Sequence, residues 1–455
     1  MDTAGKATRI NLFDLSTPQM RTFHMTWFAF FLAFFGWFGI APLMAVVRED
    51  LGLTKSQVGD TIIASVLITV LVRILIGKAC DRFGPRITYS WLLVLGSLPV
   101  MGIGLAQNFE TFLLFRLAIG AIGASFVITQ YHTSVMFASN CVGTANATTA
   151  GWGNLGGGVT QMVMPLIFAG MMLFGVSEFL GWRLAMIVPG AALFVTGIAY
   201  YHFTQDAPEG NYKDLRAAGK MPPATDKSVG SFKVAARDYR VWLLFLIYGA
   251  CFGVELTINN IAAIYYFDYF DLDLKTAGLI AGLFGLMNIF ARTLGGFFSD
   301  KAALRWGLNG RVRFLLFALV CEGVALTVFS QMTVLPIAIA TMLLFSLFVQ
   351  MSEGATFGLV PFMNRKALGP VAGIVGAGGN AGAVAAGFLF RSENLTMPEG
   401  LLILGIVVMV VSSSALLLRF SPQTLEQERL ALEAAVAERE AAKAGAAPAF
   451  GANAA

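Results

Sequence analysis

The chain has 455 residues, of which 57% are hydrophobic and only 13% charged, and its formal net charge is +4. Soluble globular domains carry about 25% charged residues, so this composition excludes a soluble enzyme, a nucleic-acid-binding protein and a secreted disulfide-rich domain. The four cysteines form no CxxC pair and the three histidines lack ligand spacing, so we expect no disulfide framework, metal or other cofactor. The composition predicts a protein that crosses a lipid bilayer many times.

Twelve apolar stretches are long enough to cross the hydrocarbon layer, which a helix spans with about 20 residues. Helices are expected because unpaired backbone groups are too costly inside the bilayer. In chain order, the predicted spans are 24–47, 57–79, 87–106, 111–137, 145–174, 181–203, 241–267, 276–298, 312–331, 335–362, 371–390 and 399–419. The predicted fold class is therefore an all-α polytopic membrane protein.

Lysine and arginine are distributed unequally between the two sides of these spans. If the chain starts in the cytoplasm, nineteen lysines and arginines lie on the cytoplasmic side before the tail, including Lys227, Arg365 and Lys366. Five lie on the outside. Cytoplasmic loops of membrane proteins carry the excess of positive charge. We therefore expect both termini to face the cytoplasm.

A polar segment from Gln205 to Asp238 is the long hydrophilic interruption of the chain, and it separates six spans from six. The tail is predicted to be an exposed helix over Gln423 to Lys443, followed by a disordered Ala/Gly segment, 444–455. The predicted organisation is a cytoplasmic segment 1–23, a six-helix half 24–203, a cytoplasmic linker 204–240, a second half 241–419 and a cytoplasmic tail 420–455.

The two halves repeat the same spaced residues. Arg73, Gly77 and Asp81 in span 2 stand at i, i+4 and i+8, and span 8 carries Arg, Gly and Asp at the same spacing 219 residues later, starting at Arg292. The run GNLG around Asn154 in span 5 returns as GNAG in span 11, 226 residues later. Span 2 corresponds to span 8 and span 5 to span 11, so the halves are predicted to be pseudo-symmetric, with a substrate site between them near the midplane.

Two arginines of this repeat lie far from the ends of their predicted helices. Arg73 and Arg292 each lie about two helical turns, roughly 12 Å, from the aspartate that ends their helix. An arginine at a helix centre costs at least about 2.5–3.5 kcal/mol, so each should face a cavity or a counter-charge. Either each arginine pairs with a buried glutamate, for which Glu255, Glu322 and Glu353 are available, or the two guanidinium groups converge on a flat anion.

The glycine-rich runs allow two interpretations as well. Small residues let helix backbones approach closely, which serves packing and would also allow one helix to slide or rock against another. The glycines concerned are Gly153, Gly156, Gly157, Gly379 and Gly382. The amides of Asn154 and Asn380 either donate to a bound anion or bond a neighbouring helix.

Two sequence elements resemble the major facilitator superfamily. The stretch from Gly77 to Arg86 looks like its loop motif between spans 2 and 3, in which the charges of Asp81 and Arg82 cap and latch helix ends in the outward-open packing. The run from Arg116 to Gly120 is similar to its fourth-helix RxxxG element. Within that superfamily, AGWGNLGGG and GAGGNAGA resemble the paired signatures of the nitrate/nitrite porter family.

This resemblance implies a nitrate or nitrite site in which Arg73 and Arg292 sandwich the anion. It also suggests pocket walls at Phe126, Asn154, Tyr248 and Phe252. Tyr248 and Phe252 are spaced i, i+4 and therefore share a helix face.

The span-5 signature is closer to the cyanobacterial and plant or algal branch of the family, which is thought to couple nitrate entry to protons. The other branch is thought to exchange nitrate for nitrite. Four residues are candidates for carrying a proton, or equally for pairing with an arginine: Glu255, Glu322, Glu353 and His132. The sequence does not choose among them.

The sequence as a whole predicts a monomeric secondary transporter of the plasma membrane. It would move nitrate, and also nitrite, by rocking of two six-helix halves around a midplane site, with proton-coupled uptake expected. Exchange of nitrate for nitrite and transport of another small anion stay open as alternatives. No nucleophile–base pair, metal cluster or phosphate loop indicates an enzyme, and the polar segments are too short for a receptor domain.

Overall fold

A computed structural model describes residues 5–137, 141–220, 228–363 and 368–430 of the chain, and twelve helices in these ranges are long and apolar enough to cross a membrane. They are Pro18–Asp50, Lys55–Phe83, Pro85–Leu105, Phe109–Met136, Thr144–Leu173, Glu178–Phe203, Tyr239–Tyr269, Leu274–Trp306, Leu308–Ser330, Leu335–Phe362, Pro370–Arg391 and Met397–Leu417, here spans 1 to 12. The predicted all-helical fold with twelve spans is confirmed. The charges at Lys227, Arg365 and Lys366, and the predicted tail helix and disordered segment beyond residue 430, lie outside the described residues.

Local signals explain where several spans begin. Thr54 and Thr396 each cap the helix that follows with a capping box, and Asp273 accepts the first backbone N–H groups of span 8. Span 8 is interrupted by a 3-10 turn at Met287–Ile289, after which the helix resumes at Ala291–Trp306. This interruption lies directly before Arg292.

Each half is built around one closely packed helix pair, and the pairs correspond under the repeat. Span 5 packs on span 1, and span 11 packs on span 7. A Cβ added to Gly153 would overlap the Phe30 ring, and one added to Gly156 would overlap the carbonyl oxygen of Phe31. These two glycines therefore provide close packing inside the first half.

The glycines of span 11 repeat this arrangement in the second half. A Cβ on Gly379 would overlap the Phe252 ring, and one on Gly382 would overlap the backbone of Gly249. Of the five glycines singled out in the sequence, Gly157 alone approaches the other half, because a Cβ there would lie 3.2 Å from Nδ2 of Asn259.

The halves meet through span 5 against span 8 and span 2 against span 11. Gly158 and Gly285 let two of these backbones touch, since a Cβ on Gly158 would lie 2.7 Å from Cα of Gly285. A side chain at either position would push the halves apart.

Ion pairs join the halves at the end of the bundle opposite the linker. Arg48 at the end of span 1 donates to both carboxylate oxygens of Asp268 in span 7, at 2.7 and 2.8 Å. Arg391 of span 11 donates to Asp60 of span 2 at 2.5 Å, and Lys55 donates to the carbonyl oxygen of Leu395. We call these contacts the outer seal, after the outside position that the positive-inside distribution predicts for this end.

The loop after span 2 is held by the linker. Arg216 of the linker donates to the carbonyl oxygens of Asp81 and Arg82, at 2.6 Å for Asp81. Gly84 has φ +94°, a conformation that favours glycine, and it turns the chain into span 3. Neither the Asp81 nor the Arg82 side chain forms an ion pair in the part of the chain that the structure describes, so the latch expected from the loop motif is not engaged here.

Candidate functional site

Arg73 is buried in the centre of the molecule with a neutral partner. Its Nη1 donates to the carbonyl oxygen of Gly376 in span 11 at 2.9 Å, so the contact crosses from one half to the other. Nε and Nη2 have no hydrogen-bond partner, and within the described ranges no carboxylate lies within ion-pair distance. The guanidinium carbon lies 5.5 Å from the centroid of the Phe126 ring. Two of its donor groups are therefore unused.

Arg292 has the opposite surroundings, because two buried carboxylates meet at its Nη2. One is Glu255 of span 7, at 3.3 Å, and the other is Glu353 of span 10. In the amide orientation that satisfies its hydrogen bonds, Asn154 of span 5 accepts from both Nη atoms of Arg292, at 3.0 and 3.1 Å. Asn154 thus connects the first half to the charged cluster of the second.

The two glutamates of this cluster differ in their hydrogen bonding. Glu255 also accepts a hydrogen bond from Nδ2 of Asn288, at 2.8 Å. Asn288 lies in the 3-10 turn that interrupts span 8. Neither oxygen of Glu353 has a hydrogen-bond partner among the described residues. The ion pair with Arg292 is therefore the polar contact that holds Glu353.

A series of aromatic rings connects the two arginines. Phe126 of span 4 lies 6.4 Å from Phe357 of span 10, Phe357 lies 5.0 Å from Tyr248 of span 7, and Tyr248 stacks on Phe252 at 5.1 Å between ring centroids. The Phe252 ring lies 5.7 Å from the guanidinium carbon of Arg292. Arginine faces aromatic rings favourably, so the rings form the apolar wall of one central site with an arginine at each end.

Phe357 was missed by the sequence prediction. It lies four residues after Glu353 on the same helix, and residues at this spacing share a helix face. In the sequence, Glu353 was thus the residue that could have pointed to Phe357.

Comparisons with known proteins agree with one another and cover most of the chain. Residues 26–387 match the Major Facilitator Superfamily. The high affinity nitrate transporter 2.5 of Arabidopsis thaliana is 41% identical over 92% of this chain and 84% of that protein. The nitrate transporter 2.2 of Chlamydomonas reinhardtii is 36% identical over 92% of this chain and 83% of that protein.

The chain belongs to the nitrate/nitrite porter family of the Major Facilitator Superfamily. A cyanobacterial nitrate/nitrite transporter, NrtP of Picosynechococcus, is 31% identical over 81% of this porter and 84% of that protein. The fold matches a solved D-xylose–proton symporter with a TM-score of 0.68 at 12% identity, covering 90% of this chain and 99% of that one. A bacterial homolog of the lysosomal transporter Spinster, solved in an inward-facing and unoccupied conformation, also gives 0.68 at 16% identity, covering 90% and 99%. The porter is a membrane transporter and not an enzyme.

Three predicted residues of the porter stand apart from the Arg292 cluster. Glu322 of span 9 is fully buried, and neither carboxylate oxygen has a hydrogen-bond partner in the described part of the chain. His132 is bonded at both ring nitrogens, to the Tyr200 hydroxyl at 2.6 Å and the Gln205 carbonyl at 2.8 Å, so it ties span 4 to span 6 and the linker. Asn380 is buried one turn beyond Gly376, with no partner for either amide atom within those ranges.

Proposed function

We propose that the protein imports nitrate, and also nitrite, across the plasma membrane by alternating access, with both termini in the cytoplasm. The observation that carries this proposal is that Arg73 and Arg292, from equivalent spans of the two halves, stand at the ends of one aromatic-walled site. The names of the relatives support nitrate as the substrate. The units that rock would be the halves 24–203 and 241–419, and one chain supplies the complete site, which favours a monomer.

Nitrate suits this site because it is small, flat and singly charged. Guanidinium is planar, permanently charged and weakly hydrated, and it binds planar oxyanions through two parallel hydrogen bonds. The unpartnered Nε and Nη2 of Arg73 offer such a pair of donors. Tyr248 and Phe252 would exclude water, which strengthens each charged hydrogen bond.

The charge count of the site supports proton coupling. With both carboxylates ionised, Arg73 and Arg292 together balance Glu255 and Glu353, and the site carries no net charge before an anion arrives. One nitrate would leave an uncompensated negative charge, and burying such a charge is costly. A proton that enters with the nitrate restores neutrality.

Glu353 is the carboxylate best placed to take this proton. A nitrate that draws Arg292 towards itself would weaken the ion pair on which Glu353 depends, whereas Glu255 would keep the hydrogen bond from Asn288. The alternatives His132 and Glu322 form no ion pair with Arg292 in the described structure. We therefore propose that Glu353 binds the co-transported proton.

The arrangement of the seal fits one stage of the transport cycle. Arg48–Asp268 and Arg391–Asp60 close the end opposite the linker, which supports assigning this structure to a state closed to the outside. Nitrate binding would pull the two arginine-bearing halves together around the anion. In import, this seal would form as the halves close over a nitrate that entered from outside, and the contacts on the linker side would then open to release it.

The test is nitrate uptake into proteoliposomes that contain the purified full-length chain. We expect saturable uptake that accelerates when the outside is acidified. Uptake that does not respond to the pH gradient but requires nitrite inside the vesicles would instead establish exchange of nitrate for nitrite. Stronger competition by formate than by nitrate, nitrite or chlorate would indicate another anion, and failure to move any of these anions would refute a transport function.

A further inference from the structure

A third arginine is buried in the first half, outside the site described above. Arg116 of span 4 is 1% exposed. Its Nη1 donates to the carbonyl oxygen of Trp37 at 3.3 Å and its Nη2 to Oδ1 of Asn260 at 3.0 Å, while Nε has no partner. No carboxylate lies within ion-pair distance of this guanidinium in the ranges that the structure describes. Arg116 is thus a buried cation held only by neutral acceptors.

Spans 5 and 7 carry two further buried amides, each with one polar atom that has no partner in the described part of the chain. Asn259 precedes Asn260, is 2% exposed and leaves its Nδ2 without a partner. Gln161 of span 5 donates to the carbonyl oxygen of Asn259 at 2.5 Å and leaves its own Oε1 unpaired. Packing alone does not explain this cluster, because a buried polar group without a partner costs free energy.

The cluster lies between the outer seal and the central site. Asn260 follows Glu255 by five residues and precedes Asp268 by eight, which corresponds to about 7 Å and about 12 Å along the helix. Arg116 precedes Phe126 by ten residues, or about 15 Å. An anion that passed from the seal to the central arginines would therefore meet Arg116 on its way.

We propose that Arg116 is an outer binding site for the transported oxyanion, and this inference rests on the proposed function. In the sealed state Asn260, from the other half, occupies one donor of Arg116. Separation of the halves on the outside breaks that hydrogen bond and leaves an uncompensated guanidinium facing the opening. The site captures an anion there and passes it inward to Arg73 and Arg292.

The alternative is that Arg116 only fastens the closed halves together through Asn260. Two substitutions separate these roles, since Arg116→Gln removes the cation whereas Asn260→Ala removes the same hydrogen bond and keeps the cation. Arg116→Lys retains a positive charge at the site. Each variant is reconstituted as the full-length chain, after size-exclusion chromatography has established that it is folded.

We expect Arg116→Gln to lower the efficiency of uptake at low external nitrate about tenfold, as the loss of a charged hydrogen bond predicts. Nitrate binding to the purified sealed protein should stay within about twofold of wild type, because Arg73 and Arg292 are intact. Asn260→Ala should keep most of the uptake efficiency, and Arg116→Lys should lose less than Arg116→Gln because it keeps the charge but not the planar pair of donors.

Equal losses in Arg116→Gln and Asn260→Ala would overturn the outer site in favour of a fastening role. Wild-type efficiency in Arg116→Gln would overturn it as well. Both results differ from failure of the proposed function, in which the wild-type protein itself would move no nitrate.

Discussion

Arg73 and Arg292 occupy equivalent positions in the two halves, yet Arg292 pairs with two carboxylates whereas Arg73 donates to a backbone carbonyl. Among the described residues, the candidate central site thus holds one cation without a carboxylate partner and one that faces two carboxylates. The anion is therefore expected to be held mainly by Arg73, and its effect on the charge of Arg292 is expected to reach Glu353. Binding and proton uptake would thus depend on different arginines of the same repeat.

The first prediction concerns the shape of the guanidinium group. Arg73→Lys and Arg292→Lys keep the charge but lose the planar pair of donors, so each should reduce nitrate uptake at least about tenfold. Initial uptake rates in proteoliposomes measure this, with Arg305→Lys, at an exposed position near the end of span 8, as the matched control. Normal saturable uptake in both site variants would remove the two-arginine site from consideration.

The second prediction separates the proton carrier from the other buried acids. Glu353→Gln removes the titratable group while conserving size, so uptake should lose its acceleration by external acid and nitrate binding should persist. Glu322→Gln is the matched control, because Glu322 is also fully buried but forms no ion pair in the described structure. If the acid response disappears in Glu322→Gln and survives in Glu353→Gln, the assignment of the proton to Glu353 is wrong.

The third prediction concerns the outer seal. Asp268→Asn combined with Asp60→Asn removes both inter-half ion pairs, each partly exposed and worth about 1 kcal/mol or less. The population of the outward-open state should rise up to roughly fivefold per pair. The measurement is the distance between spin labels at positions 107 and 393, in the N-terminal and C-terminal halves.

The control for the seal is Asp300→Asn. It breaks the pair between Asp300 and Arg311, which lies inside the second half at the linker end. An equal change in the label distance from this control would show that loss of charge, and not loss of the seal, opens the outer end.

The fourth prediction compares two glycines of span 11, one that packs against a neighbouring helix and one that has no neighbour there. Gly382→Ala would force a methyl group against the backbone of Gly249, so it should destabilise the folded protein by about 1–3 kcal/mol. Gly373→Ala meets nothing within 4 Å and gains helix propensity, so it should be neutral or stabilising. Thermal unfolding of the purified variants in detergent measures both, and equal midpoints would contradict close packing of spans 7 and 11.

The sequence determined the twelve spans, their order and the equivalence of the two halves. These features are local or repetitive: each span needs its own apolar length, and the Arg-Gly-Asp and Gly-Asn spacings are visible along the chain. The depth of Arg73 and Arg292 along their helices also followed from sequence, because their distance from the helix ends is fixed by the helical rise.

Only the tertiary structure decided which partner each of these arginines has. Glu255, Glu353 and Asn154 come from three different spans, and no sequence spacing predicts that all three meet Arg292 while Arg73 meets none of them. The packing of four glycines inside a half likewise depends on which helix faces lie against each other. So do the contacts of Arg116, which has no carboxylate partner in the part of the chain that the structure describes. These contacts join residues of different spans, from 37 positions apart for Glu255 and Arg292 to 144 for Arg116 and Asn260, so they exist only once the helices have packed.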